Sequence, residues 1–304
     1  MKSDVKCINC DSAVQDLGRI PSTQIFAGRI LDKLIEGGRL YKCKKCHLGF
    51  RYPRLSKRKL DDLYKSGIDG TWDNIDNLRT DWILSSKWIT KFIPKQSRIL
   101  DIGCYDGKFF DSLLDSYKCF GVEIHDEAKE RAESKGIKII SSNFSELDGK
   151  FNCITAFDVI EHTENPRIFI KKIYNLLDKG GICLISTGNL NSQSFRFMGG
   201  KYWYSTISEH ISFLSPDWFL KKENIDGFNL LKIEKFSRSY FEFKKYFIEA
   251  FLNILFKLLP VISFILKGIV KTNFDYKKYP GMKAVGPSWG SANDHFIVML
   301  QKNE

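Results

Sequence analysis

The stretch Arg98-Ile99-Leu100-Asp101-Ile102-Gly103-Cys104-Tyr105-Asp106-Gly107-Lys108-Phe109 decides how this chain is read. An apolar run ends on a carboxylate, a glycine-punctuated turn follows, and a helix is predicted to open at Asp106 or Gly107. Open α/β sheets build ligand sites in this way, at the carboxyl end of a strand. Glycines at 103 and 107 let backbone approach a ligand where a Cβ would collide. A P-loop would continue with Lys-Ser or Lys-Thr after its last glycine. Here the continuation is Lys108-Phe109, so a triphosphate is not the expected occupant.

Outward from this turn, strand-like and helix-like runs alternate. Strands are predicted at 97–102, 119–124, 137–140, 151–157 and 181–187, and helices at 107–117, 126–135 and 165–178. Such alternation means βαβ units and a parallel sheet with helices on both faces. A helix at 76–93 stops before Pro94, and a shorter capped helix starts at Ser56. Beyond the alternating region, 216–225 reads as a helix, 228–238 as a strand and 294–301 as a final strand. Glu123 lies at the end of the second strand, 22 residues after Asp101. That is where an acidic residue meets ribose hydroxyls in a dinucleotide fold. The glycine run is not G-x-G-x-x-G, which disfavours a nicotinamide cofactor.

The 304 residues carry a net charge of +11, unevenly spread. Residues 1–60 hold 14 Lys/Arg against 5 Asp/Glu, so most of the excess sits in the first fifth. A basic block favours an anionic partner such as nucleic acid, a membrane surface or a phosphate-bearing substrate, or is simply a solvated face. Met1 to Cys10 lacks the apolar core of a secretory signal, which points to a cytoplasmic protein. Cys7-Ile-Asn-Cys10 and Cys43-Lys-Lys-Cys46 form two C-x-x-C pairs whose four thiolates can hold one tetrahedral Zn2+. Four thiolates leave no open position, so this metal is expected to be structural. Cys104, Cys119, Cys153 and Cys183 lie singly in or beside apolar runs and read as small core residues.

Residues 246–270 are largely apolar, interrupted by Glu249, Lys257 and Lys267 and kinked at Pro260. Spanning a bilayer needs a longer uninterrupted apolar run. Two amphipathic half-helices on a membrane surface, flanked by Lys244, Lys245, Lys271, Lys277 and Lys278, suit the pattern. The alternative is a helical hairpin packed on the enzyme or on a second subunit.

Asp101-Ile-Gly103-Cys104-Tyr-Asp-Gly107 followed by Gly121-Val-Glu123 resembles class I S-adenosylmethionine (SAM)-dependent methyltransferases. Phe151 to Asp158, continuing Val-Ile-Glu161-His162-Thr-Glu-Asn-Pro166, resembles the fourth strand and loop of the branch containing the ubiquinone O-methyltransferases. Trp203 and Glu209-His210-Ile-Ser-Phe213-Leu-Ser-Pro216 resemble a later motif of that branch. The Cys pairs and Phe50-Arg51-Tyr52-Pro53-Arg54-Leu55 resemble the zinc-bearing front of bacterial sugar and cell-surface methyltransferases. The departure is Tyr105, where the family often has Gly.

The resemblance implies an α/β fold, a Rossmann-like seven-stranded sheet with helices on both faces plus a small N-terminal zinc ribbon. It implies that Asp101, Gly103, Cys104 and Gly107 shape the pocket for the methionine end of SAM. Glu123 would hold the ribose, Asn143 and Phe144 would face the adenine, and Phe157 and Asp158 would close the methionine side. For a hydroxyl acceptor a base is needed, and His162 and His210, with Glu161, are the candidates. Asp158-x-x-Glu161-His162 with His210 also resembles the Glu-x-x-Glu-His plus His site of some RNA 2′-O-methyltransferases, where Mg2+ or Mn2+ would lower a hydroxyl pKa.

The chain is thus expected to comprise a zinc module (1–55), linking helices (56–95), the SAM-binding core (96–240), an apolar helical insertion (241–290) and the last core strand (291–304). The leading expectation is a methyltransferase of a sugar or lipid-linked glycan in cell-envelope polysaccharide biosynthesis, peripheral on the inner face of the membrane. The aromatic-rich segment 195–213 suits sugar faces. The alternatives are an RNA or quinone-type O-methyltransferase and a non-catalytic scaffold. RNA ranks lower because the basic front lacks a recognised RNA-reading motif.

Overall fold

The computed structural model describes residues 5–27, 29–56, 59–60, 63, 79–238, 243–269, 285–291 and 293–303. Its strands are β1 (Val14–Arg19), β2 (Thr23–Phe26), β3 (Arg29–Ile35), β4 (Arg39–Cys43), β5 (Gly49–Tyr52), β6 (Arg98–Ile102), β7 (Lys118–Val122), β8 (Lys138–Ser141), β9 (Phe151–Phe157), β10 (Leu177–Gly188), β11 (Ser212–Phe213), β12 (Phe228–Phe236) and β13 (His295–Lys302). The longer helices are α1 (Thr80–Phe92), α2 (Asp126–Ser134), α3 (Pro166–Leu176), α4 (Gln193–Met198), α5 (Phe243–Leu258) and α6 (Pro260–Ile269). The chain divides into two compact units.

The first unit gathers Met1–Thr71, Gly188–Ser215 and Ser237–His295. The zinc module expected at 1–55 is built from strands β1 to β5. Strands β1, β4, β5 and β11 form a four-stranded antiparallel sheet, and β2 with β3 a hairpin. Strand β1 has no buried residue, and β5 buries Gly49, Phe50 and Arg51 in succession, so neither shows the alternation that marks a half-covered strand. Segment 188–215, which the sequence reading includes in the core at 96–240, packs in this unit. One reason is β11, which pairs Ser212 with Phe50 and Phe213 with Gly49 of β5. The other is Arg51, only 1% exposed. Its guanidinium donates to the carbonyls of Ser205 at 2.7 Å, Ile207 at 2.8 Å, His210 at 3.3 Å and Gly37 at 3.4 Å. Burial lowers the Arg51 pKa to about 10, against the opposing pull of Glu209. Phe195, Tyr202, Tyr204 and Phe213 are all buried in this unit's core. They are therefore not the open aromatic faces that the sequence suggests for a sugar.

The second unit gathers Trp72–Thr187, Pro216–Phe236 and Phe296–Glu304. Its seven-stranded sheet has the order β12-β13-β10-β9-β6-β7-β8. Strands β10, β9, β6, β7 and β8 run parallel to one another. Strand β6 lies between β9 and β7, with Asp101 level with Thr155 on one side and Gly121 on the other. Parallel strands covered on both faces read as continuous apolar runs, which makes them visible in the sequence. Helix α3 starts on Asn165, whose side chain accepts from the N–H groups of Arg167 and Ile168, with Pro166 at the first helical position. It buries Phe169, Ile170, Ile173 and Leu176.

Two helices differ from expectation. The segment predicted as a helix at 107–117 is a 3-10 turn at Lys108–Ser112 followed by further turns. Phe110 and Leu113 are both buried, and the i,i+3 alignment of a 3-10 turn brings them onto one side. The helix predicted at 216–225 is a short helix at Pro216–Phe219 and a 3-10 turn at Lys222–Asn224. The apolar insertion is the two helices α5 and α6, parted at Pro260. Among the described residues no helix is long and apolar enough to cross a membrane. The helix read from Ser56 falls mostly outside the described residues.

Arg51 generates a test of the first unit. A lysine ammonium cannot reach carbonyls arranged around a guanidinium fork. Arg51→Lys is expected to cost about 3 kcal/mol of unfolding free energy in urea titrations, the scale of lost charge-assisted hydrogen bonds in a buried site.

Candidate functional site

The carboxyl ends of β6, β7 and β9 converge on the glycine turn. Glu123, just past β7, is 6% exposed. One oxygen accepts from Tyr105 N at 2.9 Å; the other accepts from Ile124 N at 2.8 Å and His125 N at 2.9 Å. Three main-chain N–H groups thus fix the carboxylate across the turn, and its four lone-pair sites leave it able to accept more. Gly103 and Gly107 both adopt φ of +73°, a conformation costly for other residues. A Cβ at Gly103 would sit 3.0 Å from Val159 Cγ2. Tyr105, between them, also has positive φ, at 48°.

Asp101 is fully enclosed and accepts a 2.6 Å hydrogen bond from Thr155 Oγ1 on β9. Burial pushes its carboxyl up to about 7, although Thr155 and the Arg79 charge pull the other way. Cys104 keeps its thiol buried against Gly121, where a Cβ would collide with Sγ. Burial also raises the Cys104 pKa, so the side chain is an inert packing group. Asn143 is exposed and caps the turn Phe144–Glu146, accepting from Ser145 N at 3.0 Å. Phe144 is half-buried with its ring 5.0 Å from that of Phe169. Phe157 packs edge-on to Phe109 at 4.7 Å.

Asp158 lies next along the chain with φ of 53° and is held by Arg79 at 2.9 Å. Arg79 also forms a two-pronged pair with Asp81, at 3.0 and 2.6 Å. Ser186 Oγ donates to Asp81 at 2.6 Å. Burial opposes the charge on Arg79, but the two carboxylates outweigh it and raise its pKa. The sequence reading misses Arg79 and Asp81. Their signal is an Arg-x-Asp pair opening an otherwise amphipathic helix, which looks the same as an ordinary acidic first turn.

The candidate base residues fall in different units. Glu161 is completely buried in the second unit and accepts from Thr187 Oγ1 at 2.9 Å. His162 follows it in the same 3-10 turn, Ile160–His162. His210 belongs to the first unit, 6% exposed, with Nδ1 at 3.0 Å from the carbonyl of Tyr204. A carbonyl only accepts, so Nδ1 carries the proton and Nε2 holds the basic lone pair.

Cys7, Cys10, Cys43 and Cys46 come together as the sequence predicts. Their sulfurs lie within 4.8 Å of one another, with Cys7 to Cys46 at 3.6 Å and Cys10 to Cys43 at 3.5 Å. A tetrahedral zinc site, with bonds near 2.3 Å, requires sulfurs about 3.8 Å apart. Main-chain N–H groups of Asn9, Lys45 and Cys46 point at the sulfurs of Cys7 and Cys43. The cluster is compatible with a zinc module. Cys104, Cys119, Cys153 and Cys183 are buried and unbridged.

The methyltransferase-domain family model matches residues 78–223. Ubiquinone biosynthesis O-methyltransferase of Psychrobacter cryohalolentis is 24% identical over 183 residues, covering 50% of this chain and 70% of that protein. The protein of the same description from Dechloromonas aromatica is 26% identical over 142 residues, covering 42% and 59%. Among solved structures, coclaurine N-methyltransferase bound to N-methylheliamine and SAH has a TM-score of 0.49 and 14% identity, covering 73% of this chain and 72% of that one. The family match and the two sequence relatives, on a seven-stranded sheet with a glycine turn after β6, define a class I SAM-dependent methyltransferase. SAM is its methyl donor.

Asp101 gives this unit a pH signature. Its folded pKa near 7 exceeds the ordinary aspartate value, so its stability contribution is complete below the ordinary value and is lost as pH rises from there through 7. Without SAM, wild type is expected to lose roughly 1.4 kcal/mol per pH unit relative to Asp101→Asn across that interval. Paired urea titrations between about pH 5 and about pH 7 would show parallel curves for the two proteins if Asp101 were ordinary.

Proposed function

We propose that this enzyme transfers the methyl of SAM to a hydroxyl of a sugar or lipid-linked glycan used in cell-envelope polysaccharide biosynthesis. The observation that carries the donor half is Glu123, fixed by three N–H groups beside two left-handed glycines. In this reading Glu123 accepts the ribose hydroxyls, and Gly103 and Gly107 admit the methionine end beside Asp101. Cys104 contributes its backbone. Asn143 and Phe144 border the adenine, and Phe157 with the Arg79-anchored Asp158 closes the methionine side. Bound SAM supplies a methyl on a positively charged sulfur with a good neutral leaving group.

The protein must then align a hydroxyl and take its proton. His210 suits the second task, because its Nδ1 contact fixes the tautomer with Nε2 as base. His162 is the other candidate base. Glu161, tied to Thr187, holds the turn that carries His162. Cys7, Cys10, Cys43 and Cys46 hold a structural zinc, which keeps the β5 strand and so the Arg51 anchor in place.

A second reading, a quinone-type phenol as acceptor, is favoured by the relatives, both described as acting in ubiquinone biosynthesis. Transfer of labelled methyl from SAM to fractionated lipid-linked glycans, quinone precursors and RNA separates the readings. Label in the quinone fraction alone would replace the glycan assignment.

For the site itself, Glu123→Ala is expected to weaken SAM binding roughly 10- to 100-fold in isothermal titration, the value of one charge-assisted hydrogen-bonded group. His210→Gln is expected to leave SAM affinity unchanged and lower turnover about 10²- to 10⁴-fold. A loss of SAM affinity in that variant would instead assign His210 to the donor site.

A further inference from the structure

Helix α5 is amphipathic the wrong way round. A surface helix normally buries its apolar stripe and shows its polar face. Here the inward positions are Glu249, Asn253 and Phe256. Glu249 is 8% exposed and accepts from Ser291 Oγ at 2.5 Å and Ser291 N at 3.2 Å. Asn253 is completely buried and donates to the carbonyls of Glu249 at 2.9 Å and Ser288 at 3.4 Å. These bonds set the rotation of the helix. Turning it to hide the other face would carry Glu249 to solvent and leave the buried Ser291 hydroxyl and N–H without their acceptor.

The outward face is an i,i+4 ladder of aromatics, Phe243, Phe247 and Phe251, which are 71%, 55% and 63% exposed. It continues through Leu258 and, on α6, Val261 and Ile265, all more than half exposed. Contiguous apolar surface of this kind marks a binding face. Its charge is one-sided. Glu249 is the only acidic residue of the two helices, and it points inward. Lys244 is exposed and Lys245 half-buried at the start of α5. In sequence, Lys271, Lys277, Lys278 and Lys283 follow α6, against a single Asp275.

We propose that the outward face of α5 and α6 docks this enzyme onto a bilayer surface rich in anionic lipid headgroups. Phe247 and Phe251 enter the headgroup–acyl boundary while Lys244 and Lys245 meet the phosphates. Apolar area and anionic attraction together are what hold an interfacial helix. Neither helix is long enough to span, so the attachment is peripheral. The proposal does not depend on the acceptor's identity.

The test is cosedimentation of the full chain with vesicles of equal parts phosphatidylglycerol and phosphatidylcholine, against phosphatidylcholine alone. Wild type is expected to pellet with the mixed vesicles, less so in raised salt and least with phosphatidylcholine. Lys244→Gln with Lys245→Gln should weaken partitioning about fivefold per lysine, the equivalent of about 1 kcal/mol each. Phe247→Glu with Phe251→Glu should abolish pelleting while SAM affinity and the melting profile stay as in wild type. Failure of wild type to pellet, or equal pelleting of the Phe double variant, overturns the proposal. So does sedimentation velocity showing a dimer that Phe251→Glu dissolves without any vesicle binding, which would assign the face to a second copy.

Discussion

The carboxylate of Glu123, held by three main-chain N–H groups, is the interaction on which the glycine turn after β6 rests. One of those N–H groups belongs to Tyr105, in the middle of the glycine turn after β6. The other two belong to the residues that lead into α2. A single side chain therefore ties together the exits of two adjacent strands. Tyr105 can hold its left-handed backbone because its N–H is tied to this carboxylate, while Gly103 and Gly107 reach the same region without a Cβ. The departure from the family pattern at 105 is thus accommodated by the carboxylate itself.

Buried charge organises the first unit as well, by a different route. Among the described residues, Arg51 meets no carboxylate at hydrogen-bond distance. It is surrounded by carbonyl oxygens of residues 205–210 and by that of Gly37. A planar fork of five donors suits this arrangement, and the long-range pull of Glu209 offsets part of the desolvation cost. The consequence is topological. The segment bearing His210 takes its conformation from the strand that follows the second Cys pair, since Arg51 lies five residues after Cys46. A metal clamp on the cysteines would then be linked to the orientation of His210 through one short strand.

Much of this is legible in the sequence, and the limits have physical causes. The parallel sheet shows because buried strands are apolar along their whole length, and the glycine turn because positive φ selects glycine. The cluster of four cysteines shows because C-x-x-C spacing reports local geometry. The membership of residues 188–215 does not show, because it depends on Arg51 finding carbonyl groups, which any residue supplies. Arg79 and Asp81 are hidden in the same way: nothing in the sequence separates a buried ion pair at a helix start from a solvated one. The aromatic segment 195–213 misleads for the opposite reason. Phe195, Tyr202 and Tyr204 have the composition of a sugar platform, yet they are the core of a small unit.

Charge placement joins these pieces. The chain is strongly basic, yet the described carboxyl ends of β6, β7 and β9 carry Asp101, Glu123 and Asp158, with Asp81 behind them and Arg79 as the paired cation. Fixed carboxylates in a sheltered site favour a cation there and need no reorganisation when it arrives. Asp101 adds a condition. Enclosed and crowded by the Glu123 charge, it holds its proton up to near neutrality. A ligand bearing positive charge beside it would favour the ionised form, so binding and proton release are coupled. In the proposed site, the charge of SAM would complete the electrostatics of a pocket whose Asp101 holds a proton. The basic excess lies elsewhere in the chain, in the N-terminal block and among the lysines in and beyond α5 and α6.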